Sequence, residues 1–458
     1  MPEICLSHFS IVICLVAGAT PAMAAPPTLQ QAIGNPDNLK VSGSLRVRYE
    51  VLDGQPRAGF RTEDEQLAVR STLAAEYRSG GIRVGGELYD SRAYLDRAGS
   101  ASGADEVNTF ELVQAYVGAD LGAALGRGSS LQLQAGRMTL NLGSRRLVAA
   151  DDYRNTTNGY TGVRADARMR DGTTLTVIYT LPQVRLPDDL PSVLRARTQW
   201  DRESFDLQLW GALMARPKTI AGATAEIGYF GLHEDDAPGR PTRNRSLHTM
   251  SARVIRDPKP GRWDFEAEGM YQFGGIRADL ASAASRLDVS AWFAHADAGY
   301  TFPGRLRARI SLEYDYASGD GPGRGYGRFD TLFGMRRADL APAGIYNAIG
   351  RANISTPGVR IEVAPGKRFD AFATYHALWL ASRTDAFSTT GVRDASGQNG
   401  RFAGHQVDAR LRYWIVPGFL RAEANAVWLR KGRFLRDAPN APRSGDTHYL
   451  ATGMIATF

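Results

Sequence analysis

Several residue types that usually carry catalysis or brace an exported soluble domain are scarce in this chain of 458 residues. There are two cysteines, Cys5 and Cys14, and both fall inside the N-terminal segment read below as a cleaved leader. The mature chain then has none, which excludes disulfides, thiolate metal sites and a cysteine nucleophile. Seven histidines are scattered along the sequence, with no HExxH pair, no Walker-type glycine-lysine loop and no G-x-S-x-G elbow. A spanning helix needs ~20 mostly apolar residues in a row. The single partial stretch is Ile11–Ala19, too short and too close to the N-terminus. Lysine is nearly missing as well. Only Lys40, Lys218, Lys259, Lys367 and Lys431 occur, so arginine supplies almost all of the 55 basic residues.

What is present points to exported β structure. A hydrophobic share of 43% excludes wholesale disorder, and 49 glycines without collagen periodicity suit a chain with many turns. Residues 11–19 have the length of a signal-peptide core, and Ala22-Met23-Ala24 is a small-x-small cleavage site. The first ten residues carry Glu3 and His8 but neither Lys nor Arg, an unusual start for a leader. The expected organisation is a leader over 1–24, a periplasmic segment over 25–40 and a barrel over 41–458.

Alternation with period two dominates the rest. Leu306, Ala308, Ile310, Leu312, Tyr314 and Tyr316 fall on one face of 305–316, with Arg305, Arg307, Arg309, Ser311, Glu313 and Asp315 on the other. Val163, Ala165 and Ala167 oppose Arg164, Asp166 and Arg168, and Val407, Ala409 and Leu411 oppose Asp408, Arg410 and Arg412. A strand segregates charge in this way and a helix does not. Eighteen such segments can be counted, each about as long as a tilted membrane strand of ~9–11 residues. Connections after even-numbered segments are terse (Gly80-Gly81, Asp171-Gly172, Pro365-Gly366, Pro417-Gly418), and those after odd-numbered segments are long. Short turns on one rim and long loops on the other predict an all-β, antiparallel outer-membrane barrel of about 18 strands, with the turns in the periplasm. The C-terminal strand ends on Phe458, which resembles the signal read by the outer-membrane assembly machinery. Outer-membrane lipid and lipopolysaccharide would surround the barrel.

In a barrel the polar faces point inward, so Arg46, Arg48, Arg70, Arg164, Arg168, Arg307, Arg309, Arg360, Arg410 and Arg412 are expected in the lumen, beside acids such as Asp166. Some should brace the wall as ion pairs, and surplus guanidinium forks should meet the carboxylates of a passing solute. The long loop after the strand bearing Arg137 carries Arg145, Arg146 and Arg154 with Asp151 and Asp152. Folded inward, it would set a positive ring with Arg137. The acidic loop from His233 to Asp236 could bind a divalent ion but reads more simply as a solvated tip. The glycine-rich stretch from Gly319 to Gly327 reads as a surface loop.

Three blocks carry a resemblance: Gly136-Arg137-Met138 with Arg145-Arg146-Leu147-Val148, Asp152-Tyr153-Arg154-Asn155 and Gly162-Val163-Arg164; Tyr316 to Asp320 with Phe329 to Phe333; and Tyr375 to Leu380. In these the chain is similar to the alginate-export family of outer-membrane barrels. That resemblance implies an eighteen-stranded barrel passing an anionic polysaccharide or small anion, with Arg137 and Arg164 as matched lumen arginines. Met138 stands where the family usually has Gln. Where alginate exporters carry a long periplasmic loop before the penultimate strand, this chain has only Pro417-Gly418. Uptake of small organic anions or sugar acids is the alternative. A barrel-embedded hydrolase with a wall-mounted His and Ser, and a secreted β-sandwich, are readings from other classes. No cofactor, metal or nucleic-acid partner is expected. The barrel reading predicts extraction from outer-membrane vesicles only with detergent and heat-modifiable migration on a gel. A soluble, heat-insensitive product would overturn it.

Overall fold

The computed structural model describes residues 26–335 and 339–458, so the expected leader lies outside the described residues. After a single helical turn, α1 (Leu29–Ala32), come β1 (Leu39–Asp53), β2 (Glu63–Ser79), β3 (Ile82–Tyr94), β4 (Asn108–Asp120), β5 (Ser130–Met138) and β6 (Tyr160–Arg168). Next are β7 (Thr174–Pro182), β8 (Leu207–Arg216), β9 (Thr224–Glu234), β10 (Ser246–Arg256), β11 (Arg262–Arg277) and β12 (Arg286–Thr301). The chain ends with β13 (Arg309–Ala317), β14 (Ile354–Val363), β15 (Phe369–Trp379), β16 (Phe402–Val416), β17 (Leu420–Lys431) and β18 (Thr447–Thr457). All 18 strands pair antiparallel with their sequence neighbours, and β1 pairs with β18 from Ser44 opposite Thr457 to Asp53 opposite His448. The sheet therefore closes on itself and leaves no edge.

Closure is what a bilayer demands, because no water is present there to satisfy a free strand edge. The alternating sequence then sorts itself. On β1, Leu45, Val47 and Tyr49 are exposed on the outer face, and Arg46, Arg48 and Glu50 are buried inside. Trp263, Tyr271, Trp292, Tyr375 and Trp428 stand exposed on the same outer surface, the belt of aromatic residues that a membrane interface favours. Gly136, at φ +119, is fixed by a close approach: a Cβ there would lie 2.3 Å from the Ala115 carbonyl oxygen on β4.

The apolar core is inside the barrel and is built from loops. Leu140, Leu142, Leu147 and Val148 from 139–159 pack with Phe329, Leu340, Ile345, Tyr346 and Ile349 from 318–353. Phe387 and Val392 from 380–401 join them, as do Phe434 and Leu435 of α2 (Arg433–Asp437). These loops leave the rim with the long connections and fold down into the extracellular half. The terse rim differs from expectation at one place. The segment 302–308 is a longer turn, closed by the Phe302 amide donating to the Ala308 carbonyl at 2.8 Å. Arg307 sits in it exposed at φ +45, outside the wall, so the alternation in the sequence runs past the true start of β13 at Arg309.

Val163 and Arg164 are sequence neighbours on opposite faces, and Val163 is 53% exposed to the outside. A mid-depth arginine facing lipid costs ~2–4 kcal/mol. Val163→Arg should therefore destabilise the barrel by about that much, measured by urea unfolding in lipid vesicles.

Candidate solute conduit

Two loops cross the lumen. The loop 139–159 leaves β5 and reaches the far wall at its tip, where Arg146 meets Glu266 and Glu268 of β11. It then returns across the barrel to β1, β2 and β3. There Arg46 donates to the carbonyls of Asp152 (2.9 Å) and Arg154 (2.5 Å) and to Asn155 Oδ1 (3.1 Å), and Arg48 donates to the Tyr153 carbonyl. Asn155 Nδ2 donates in turn to the carbonyls of Val69, Arg92 and Glu106 at 3.2, 3.0 and 2.8 Å. A loop inside a barrel has no sheet partner for its backbone, and these wall arginines supply the missing donors. The second loop, 318–353, is held by the Ile345 amide on Glu50 (3.1 Å) and by Gln272 Nε2 on the Asp330 carbonyl (3.1 Å).

Beside the crossing lies a cavity of about 450 Å³ lined by Arg46, Arg48, Arg70, Arg145, Arg410, Arg412 and Arg421, with Asp152 and Glu423 as its acids. Register explains it. On the inner face, Ile455 of β18 lies between Arg46 and Arg421, and Gly453 between Arg48 and Glu423. Arg46 in turn faces Arg70, and Glu423 faces Arg412. A strand offering only Ala451, between Glu50 and Asn425, and Gly453, between Arg48 and Glu423, leaves space that the neighbouring arginines line. Arg46 and Arg70 have no carboxylate within ion-pair distance among the described residues; Arg70 lies over the Tyr89 ring at 5.4 Å. A larger hollow of about 810 Å³, floored by Val51, Leu95 and Leu450, opens on the lipid-facing side and is not part of the lumen.

The opposite wall is acidic. Asp264, Glu266 and Glu268 on β11, Asp297 on β12, Glu313 and Asp315 on β13 and Glu362 on β14 share a few arginines. Arg309 meets Asp264, Asp297 and Glu362, the last at 3.2 Å, and Arg360 meets Glu362 at 2.8 Å while lying 3.7 Å over Phe372. His295 and Asp315 are 2.9 Å apart across β12 and β13, with no serine in the pair. Asp339, which groups with these two, is already held by Arg146 (2.8 Å) and Arg351. In the loop after β9, His233 pairs with Asp235 at 2.9 Å and Glu234 with Arg245 at 2.7 Å, so the acids there point to separate partners.

The expected residues thus divide. Arg46, Arg48, Arg70, Arg145, Arg410, Arg412 and Asp152 come together around the basic cavity. Arg309 and Arg360 belong to the acidic wall. Arg164 pairs with Asp166 on its own strand at 2.6 Å, and Arg168 is exposed at the end of β6. The loop enters the barrel, but the expected positive ring does not form. Arg137 is held by Glu111 (2.6 Å) and Glu203 (2.9 Å), Arg154 by Asp105 (2.7 Å) and Asp151 (3.2 Å), and Arg145 by Asp152 (2.7 Å). The partners Asp105, Glu111 and Glu203 lie 49, 26 and 66 positions away in sequence, beyond the reach of local pattern. Arg421 was not singled out from sequence, although Arg421, Glu423 and Asn425 at period two carry the same signal as the other inward faces.

A closed barrel of 18 antiparallel strands, with an apolar outer belt, terse turns on one rim and a charged lumen narrowed by infolded loops, is an outer-membrane channel of the porin type. Its sequence matches the Alginate export family over residues 37–446, and the chain belongs to that family. Among solved structures it is similar to the outer membrane protein OpdK of Pseudomonas aeruginosa, at 14% identity and a TM-score of 0.56, covering 92% of this chain and 99% of that one. OccAB3 of Acinetobacter baumannii matches at 12% identity and a TM-score of 0.58, over 92% of this chain and all of that one (100%). OccK2 (OpdF) of Pseudomonas aeruginosa, solved in complex with glucuronate, matches at 14% identity and a TM-score of 0.53, over 92% and 97%. At these identities the likeness is one of fold. No curated relative matches the chain.

The loop 183–206 covers Arg137, and Asp201 anchors it. Asp201 accepts from Asn108 Nδ2 at 2.6 Å and from the Leu186 amide at 2.9 Å. Burial, and then the Glu111 carboxylate, push its carboxyl up to about 7. A carboxyl raised in the folded state binds its proton more tightly there, so the docked loop is favoured at low pH and loses that stability as pH rises through about 7. After correction for intrinsic exchange, the Leu186 amide should be better protected near pH 5.5 than near pH 8, and Asp201→Asn should remove the difference.

Proposed function

We propose that this channel passes small organic anions, carboxylates of the size of a sugar acid, along the arginine wall formed by β1, β2, β16 and β17. The observation that carries this reading is the cavity of about 450 Å³ lined by seven arginines and two acids, where Arg46 and Arg70 have no carboxylate at ion-pair distance among the described residues. The uncancelled charge of Arg46 and Arg70 attracts a carboxylate into the cavity, and the less buried Arg410, Arg412 and Arg421 offer it planar forks. The acidic wall opposite repels the same solute and keeps it against the arginines. OpdK solved with vanillate and OccK2 with glucuronate support a small carboxylate as the solute class. Family membership favours a second reading, passage of an anionic polysaccharide, which requires both crossing loops to leave the lumen. In either reading the chain is exported by a leader cleaved near Ala24 and assembled through the strand ending in Phe458. Its outer face then meets lipopolysaccharide.

Surface charges are screened within ~8 Å at physiological salt, so only the charges at this narrowing set selectivity. Single channels in planar bilayers should prefer chloride and glucuronate over potassium at low salt, and the preference should fade as salt rises. Arg46→Gln with Arg70→Gln and Arg421→Gln should move the reversal potential toward zero selectivity. A cation-selective wild type would mean that the acidic wall dominates, and would sink the reading.

A further inference from the structure

The tip of the loop 139–159 is fixed to the far wall by side chains alone. Arg146, 3% exposed, donates to Glu268 Oε2 at 2.5 Å, to both Asp339 oxygens at 2.8 and 2.9 Å, and to Glu266. Ser144 Oγ adds a bond to Glu268 Oε1 at 2.8 Å. Asp339 belongs to the other crossing loop, which is zipped to this one. The Phe333 amide donates to the Leu147 carbonyl (2.9 Å), the Ala149 amide to Phe333 (3.1 Å) and the Met335 amide to Arg145 (2.9 Å). The two loops therefore form one body, joined to β11 at the tip by one guanidinium and one hydroxyl and, away from the tip, by the Gln272 amide group on the Asp330 backbone.

We propose that this cluster is a latch, and that an anionic solute in the basic cavity releases it; the proposal rests on the functional reading above. No strand ladder joins the tip to the wall, so freeing it breaks charge-assisted bonds and no sheet. When the tip leaves the wall, Asp339 stays with Arg146 and Arg351 inside the loop body, Glu266 keeps Arg253 at 2.9 Å, and Glu268 alone is left to lumen water. Arg145 connects the two sites. It lies next to Arg146 in sequence and lines the basic cavity, where its partner Asp152 is 67% exposed and open to displacement. Its backbone sits at φ +67, a conformation a non-glycine residue holds only under constraint and relaxes from when the constraint goes. An anion that takes Arg145 from Asp152 pulls directly on the residue beside the latch.

The test is single-channel recording of the full chain in planar bilayers, with folding verified by heat-modifiable migration. Arg146→Gln and the pair Glu266→Gln/Glu268→Gln should each raise open probability about tenfold. Combining them should add little, because both remove one latch. Arg433→Gln, at an exposed ion pair with Asp437, should match wild type. Glucuronate should raise the open probability of wild type and leave that of Arg146→Gln unchanged. If Arg146→Gln does not fold, the glutamine pair and Ser144→Ala carry the test. Unchanged open probability in the variants, or fully additive effects, overturns the latch. Indifference of wild type to glucuronate overturns the solute trigger. Reversal potential separates the two readings: loss of anion preference with altered gating strikes the functional reading and leaves the latch standing.

Discussion

Everything in this protein follows from the pairing of β1 with β18. Without that seam, two strand edges would leave their amides and carbonyls in hydrocarbon, where each costs several kcal/mol. With it, the sheet is a closed wall, and every strand has one face committed to lipid and one to the lumen. The seam also sets chemistry. Because Ser44 lies opposite Thr457 and Leu45 opposite Ala456, Gly453 and Ile455 fall between the arginines of β1 and the charged residues of β17. A slip of one residue would turn Arg46 and Arg48 toward lipid.

Given the closed wall, lumen charge must be disposed of, and the protein does so unevenly. The β11–β14 side gathers acids and satisfies them with shared arginines, so that Arg309 alone serves three carboxylates. The β1–β2 side spends its guanidinium groups on backbone carbonyls of the infolded loop. That use leaves the positive charge of Arg46 uncancelled while its hydrogen bonds are largely made. A field therefore runs across the lumen from one wall to the other. The same loop bridges both walls, with arginines of β1 holding its backbone and its own Arg146 held by β11. Apolar loop residues fill the space above, burying in the barrel's interior the surface that the outer face must leave to lipid.

The sequence determined the wall. Period-two alternation, the switch between terse and long connections, and the absence of any long apolar run left a barrel as the arrangement that satisfies every strand, and the observed strand number agrees. Inwardness of the arginines was equally local, since a strand residue's face is set by its parity. Arg307 is the exception that shows the limit: parity continues through a turn, but the backbone at φ +45 does not. What only tertiary structure decided is which inward arginines are free. Arg137 and Arg154 were legible as lumen residues, yet Glu111, Glu203 and Asp105 neutralise them from other strands and loops. Arg46 and Arg70 keep their charge uncancelled because β1 and β2 set them opposite each other and the infolded loop meets Arg46 with carbonyls instead of carboxylates. Charge is written residue by residue along the chain, whereas its cancellation depends on distances of a few ångströms between segments that only the closed barrel and its infolded loops bring together.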